Sequence, residues 1–329
     1  MPQPSYPYAC ARISALENGL LDAAAIKRMA DGSLDDALRT LLDMRYGGIP
    51  DATSADCERM IENERVRTAR EIREISPAPE ITDLFLLPVD VHNLKVLLKA
   101  RLLGSADADV MEGGLYALEL LQGAVQSQDY RVLPPAFCET LNELERALKV
   151  RVEPQRISVA LDRAYLTHAL GVARASKDPF VTEYFETLAD FDNMITFLRL
   201  RAMGAPQEDM RDMLLPEGTI RAEALIGAYE LSHDALVRIL TDCRARGAIA
   251  AGLNEMAKSG SIGAMEKMRD DTLLSLVKSH RHDVLTLFPV VGYLFARERE
   301  AKAVRLILTV KRNGLNESVI AERLREMYG

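Results

Sequence analysis

Residues 90–104 read DVHNLKVLLKARLLG, and residues 190–204 read DFDNMITFLRLRAMG. A pattern that returns after one hundred residues confines the chain to architectures built from repeats. Asp90, Asn93, Leu98, Arg101 and Gly104 match Asp190, Asn193, Leu198, Arg201 and Gly204. A third stretch, EAKAVRLILTVKRNG at 300–314, fits more loosely. There Glu300 stands for the acid, Leu308 for Leu98, Lys311 for the base and Gly314 for the glycine, while Ala303 replaces the Asn. Starts at 90, 190 and 300 suggest triplication of a unit of roughly 100 residues.

The pattern is helical. Counted from the acid, the Asn, an apolar step, the base and the Gly fall within about 80° of one another around a helix, so they share one stripe. The residues four and eight places on are apolar in every copy and widen the stripe into a buried face. Acid and base lie eleven residues apart, roughly 16 Å along the axis, and cannot pair within their own helix. The terminal Gly is the usual helix stop. One role for these polar residues is to tie each helix into its own module. The other is that three equivalent stripes converge on a shared axis or on another protein. Asp90, Asn93, Arg101, Asp190, Asn193, Arg201, Glu300 and Lys311 are therefore the candidate partner-contact residues.

The rest of the chain also reads as helix, with period-two alternation hard to find. A capping signal stands at Ser33-Leu34-Asp35-Asp36 and a turn at Tyr46–Pro50. Loops at 104–114 and 205–218 mark boundaries. The expected fold is all-α, with helical modules at 1–104, 105–215 and 216–329 in a pseudo-threefold, three-lobed arrangement. A superhelical stack is the alternative.

Charge narrows the function. A net charge of −8 offers no concentrated basic surface, which argues against nucleic-acid binding. The arginine-rich stretch 58–76 interleaves its Arg with Glu and reads as a solvated helix face. Cys10, Cys57, Cys138 and Cys243 form no CxxC pair, and MPQPSYPY is no secretory signal, so buried thiols in a reduced compartment are expected. The run VLTLFPVVGYLFA at 284–296, broken by Pro289 and Gly292, is too short for roughly 30 Å of hydrocarbon and reads as buried or as a contact surface.

No catalytic or cofactor constellation emerges. His233-Asp234 and His282-Asp283 are the dipeptides that supply metal ligands in one class of all-α phosphohydrolases, but the remaining histidines, His92, His168 and His280, are scattered. SGSIGAMEK at 259–267 lacks phosphate-loop spacing, and no Ser or Cys sits in a nucleophile elbow. No metal, cofactor or small-molecule substrate is expected.

Further stretches join the repeats to a known family. The opening Tyr6-Pro7-Tyr8-Ala9-Cys10-Ala11-Arg12 with Glu17 and Leu20-Leu21, the segment Leu41–Tyr46, and the closing Pro289–Glu300, Val304–Leu308 and Lys311–Gly314 resemble the C subunits of V/A-type ATPases and ATP synthases. The eukaryotic counterpart is the d subunit of the V-type ATPase. The resemblance spans the chain. It implies a non-catalytic, funnel-like all-α protein on the cytoplasmic side of the membrane. Such a protein links the central shaft, made of the D and F subunits, to the membrane rotor ring. A free α-helical repeat scaffold is the reading from another class.

Overall fold

The computed structural model describes residues 4–104, 108–148, 153–280, 283–316, 320 and 324. Within them the fold is all-α, with no strand. In chain order the helices are α1 (Tyr6–Glu17), α2 (Ala23–Asp31), α3 (Leu34–Asp43), α4 (Cys57–Ile75), α5 (Pro79–Leu103), α6 (Leu118–Ser127), α7 (Pro135–Leu148) and α8 (Pro154–Ser176). They continue as α9 (Pro179–Ala202), α10 (Met210–Met213), α11 (Ala222–Gly227), α12 (His233–Ile239), α13 (Arg246–Ser259), α14 (Gly263–Ser279) and α15 (Phe288–Arg312).

Local chemistry sets several of these limits. Ser33 accepts from the Asp36 N–H while the Asp36 carboxylate accepts from Ser33, a complete capping box that starts α3. Prolines at the first or second position open α1, α8, α9 and α15, where a missing N–H costs nothing. The expected turn at 46–50 is present, with Arg45, Gly47 and Gly48 all at positive φ.

The contacts resolve into two compact units: residues 1–92, 110–118 and 277–329 form one, and 93–109 with 119–276 form the other. The division by repeat made from the sequence and this division by contact follow different criteria. In the first unit, α2, α3, α4 and α15 enclose a core that includes Met29, Leu41, Met60, Ile61, Val304 and Ile307. In the second, α9 with α11, α12 and α13 encloses Phe191, Met194, Phe197, Leu225, Leu236 and Ile249.

The arginine-rich helix α4 departs from the solvated face expected of it. Arg59, Arg67 and Arg70 are exposed, but Glu62, Arg65 and Glu71 are half-buried, and Glu64 and Thr68 are buried. The reason is α15, which lies along α4 and brings Arg297 to Glu64. Cys10, Cys57 and Cys243 are buried free thiols and Cys138 is half-buried. In the apolar run 284–296, Phe288 to Leu294 are buried, whereas Val284 and Leu285 are exposed.

Candidate functional site: the acid-to-base stripes

The three repeat helices α5, α9 and α15 span 25, 24 and 25 residues, so the fifteen-residue pattern is only their second half. Their first halves repeat as well. Eleven places before each acid stands Pro79, Pro179 or Pro289, and five places before it Phe85, Phe185 or Phe295. Fourteen places before it stands a hydroxyl residue, Ser76, Ser176 or Thr286. Each accepts the backbone N–H two residues on, from Ala78, Asp178 and Phe288, at 3.2, 3.1 and 3.4 Å. At the other end Gly104, Gly204 and Gly314 take φ of +68°, +63° and +60°. Gly204 and Gly314 close their helices with the same pair of bonds: Gly204 N–H to Arg201 O with Ala205 N–H to Leu200 O, and Gly314 N–H to Lys311 O with Leu315 N–H to Val310 O.

The three acids are buried, and each accepts backbone N–H groups from a segment that leads into a short helix. Asp90 accepts from Leu115 at 2.7 Å and Tyr116 at 3.2 Å, just before α6. Asp190 accepts from Thr219 and Ile220, both at 2.8 Å, and from the Thr219 hydroxyl, just before α11. Glu300 accepts from Leu21 at 2.6 Å, just before α2. A glycine stands four residues ahead of each short helix, at Gly114, Gly218 and Gly19. At Gly114 a Cβ would lie 2.8 Å from the Asp90 Cγ, and at Gly218 one would lie 2.5 Å from the Asp190 Oδ1. Only glycine lets the backbone come this close.

The bases reach the far ends of the same short helices. Arg101 donates to the Val125 carbonyl at 2.6 Å and to Glu145. Lys311 donates to Ala30 O at 2.8 Å and to Gly32 O. Val125 and Ala30 each lie eleven residues past their glycine. An acid beside the first turn and a base on the last carbonyls match the helix dipole.

The second copy differs. The helix α11 is only six residues long, and its Ile226 carbonyl accepts from Gln207 Nε2 at 2.6 Å. Arg201 instead lies 5.4 Å over the Phe197 ring, with its Nη1 buried and without a hydrogen-bond partner. Asn193 bonds both ways to the strap 215–216, taking the Leu215 N–H at 2.7 Å and donating to Leu215 O and Pro216 O. Asn93 is buried, as is Ala303 in its place in the third copy.

Burial dominates the electrostatics. It pushes the Asp90 carboxyl up to about 6 against the lowering effect of the Leu115 and Tyr116 N–H bonds, and it raises Asp190 and Glu300 as well. Cys243, which donates to Asp190 at 3.7 Å, is pushed up to about 12 by burial and then by that carboxylate.

Beside the third stripe lies a cluster that sequence reasoning missed. Arg297 Nη1 is 2.7 Å from Glu300 and 3.2 Å from Glu64, and its Nε donates to the Tyr293 hydroxyl at 2.9 Å. All four residues are buried. Tyr293, Arg297 and Glu300 share a face of α15 by their spacing, a legible signal, but Glu64 is 233 residues from Arg297.

The metal reading finds no support among the described residues, where no group of three or more His, Cys, Asp and Glu could hold an ion. His233 opens α12 behind its Ser232 cap, and His282 lies outside the described residues. The stretch 259–267 runs from the last residue of α13 through the turn 260–262 into the start of α14.

In the first and third copies the short helix is thus bracketed at both ends by an acid and a base on one other helix. The family described as ATP synthase (C/AC39) subunit matches residues 9–323. The chain belongs to that family. It is similar to the C subunit of the V-type sodium ATPase of Enterococcus hirae, 25% identical over 90% of this chain and 89% of that protein. It is also similar to the C subunit of the A-type ATP synthase of Pyrococcus abyssi, 24% identical over 98% of this chain and 90% of that protein. A third relative, the corresponding A-type ATP synthase C subunit of Methanothermobacter thermautotrophicus, is 25% identical over 97% and 87%. No described helix is long and apolar enough to cross a membrane.

Proposed function

We propose that the chain is a non-catalytic central-stalk component of a V/A-type rotary ATPase, held peripherally on the cytoplasmic side of the membrane. In this role it joins the central shaft, the D and F subunits, to the membrane rotor ring. It passes torque between ATP hydrolysis or synthesis and ion translocation. The single observation that carries this reading is the family match over residues 9–323. The names of the relatives, V-type sodium ATPase and A-type ATP synthase, point the same way.

The internal bonding suits such a part. A torque element has to resist shear between its helices, and close-packed cores have few voids to yield into. Directional bonds at both ends of α2, from Glu300 and Lys311, add register that apolar contact alone lacks. On this reading the three repeats are three related modules, and the stripe residues stiffen them.

Binding tests it. Native mass spectrometry of the full chain with purified D–F pair should show one copy per shaft. A chain that binds neither shaft nor ring would leave the free-scaffold reading in its place.

A further inference from the structure

A groove of about 620 Å³ opens on the second unit between α7, α8 and the turn after α9. Its lining is divided by chemistry. Val159, Ala160, Met203 and Met213 supply an apolar floor, and Met203 is 65% exposed although it directly precedes the helix-ending Gly204. Glu143 on α7 and Asp209 and Asp212 beyond α9 form an acidic rim. These three carboxylates are exposed and make no ion pair among the described residues. Counting Glu153, four carboxylates face two guanidinium groups, Arg156 and Arg163. Arg163 also donates to Asp212 O and Leu214 O, both at 2.8 Å, and keeps its charge, so the carboxylates outnumber the cations by two.

We propose that this groove is the docking site for a basic amphipathic helix of a partner protein. Its apolar side lies on Val159, Ala160 and the two methionines, which repack readily around a guest. Its lysines or arginines face Glu143, Asp209 and Asp212, and this complementarity sets orientation and speeds encounter. The α7 and α8 faces at Thr140, Leu144 and Ala147 and at Arg156, Ala160 and Arg163 follow helical spacing, so the walls run along two helix axes as a helical guest requires. The site stands on the groove alone and does not depend on the rotary role.

The test is fluorescence anisotropy of the full chain with a labelled Leu/Lys amphipathic peptide of about five helical turns. A Leu/Glu peptide of the same pattern and free spermine serve as counter-probes. The Lys peptide binds and the Glu peptide does not. Glu143→Lys with Asp209→Lys and Asp212→Lys weakens binding about tenfold or more, and Met203→Glu does likewise. Reversing the exposed acids Glu17, Asp35 and Asp43 leaves it unchanged. Should the triple reversal melt, Asp209→Asn with Asp212→Asn carries the same comparison. Equal loss from both sets of reversals overturns the proposal, because attraction is then diffuse. So does displacement of the peptide by spermine at matched charge concentration, or a photo-crosslink from position 203 found only on a second copy of this chain.

Discussion

Arg297 stands between two buried carboxylates, Glu64 and Glu300. Burial alone would lower its pKa, but Glu300 and Glu64 hold it up, so it stays charged. Replacing it with Met leaves both acids buried without this cation, and we expect a loss of about 3–5 kcal/mol in urea denaturation. Asp90 makes a pH-dependent prediction. Its folded-state pKa of about 6 lies above the ordinary 3.8, so the folded chain binds this proton more tightly than the unfolded one. Its contribution therefore grows as pH falls from about 6 toward 3.8 and is lost as pH rises through 6. The stability of the parent minus that of Asp90→Asn should rise by roughly 1–3 kcal/mol between pH 7 and pH 4.5. A flat difference would mean that Asp90 is not desolvated.

Among the elements, the short helices report on the brackets. Lys311→Met removes the donor to Ala30 O and Gly32 O. Amide exchange in α2 should then speed up about five- to 150-fold, for a cost of about 1–3 kcal/mol, while α11 is unaffected. Two glycines separate close approach from backbone conformation. Gly204→Ala meets open space and carries only the left-handed penalty, about 1–2 kcal/mol. Gly218→Ala drives a Cβ into Glu186 O and the Asp190 carboxylate and should cost more, with a larger fall in melting temperature.

These elements also show what the sequence could tell. The stripe of acid, Asn, base and Gly was legible because its members lie on one helix at fixed spacing. The left-handed glycines, the capping box and the all-α class followed from the same local rules. The targets of the stripe were not legible. The loops before α2, α6 and α11 keep a glycine four residues ahead of the helix and little else, because a backbone N–H is what each acid binds. The Glu64–Arg297 pair escaped for another reason. The Arg/Glu pattern of α4 looks the same whether Glu64 faces water or the partner helix.

At the scale of the whole molecule, the rotary role rests on family membership and on helices tied together by buried polar bonds. The most direct measurement is ATP-driven ion pumping in proteoliposomes by a V/A-type complex stripped of this component and resupplied with the purified chain. A torque-transmitting role predicts that the stripped complex hydrolyses ATP without pumping and that stoichiometric addition of the chain restores the ion gradient. Full pumping without the chain, or no recovery with it bound, would contradict that role.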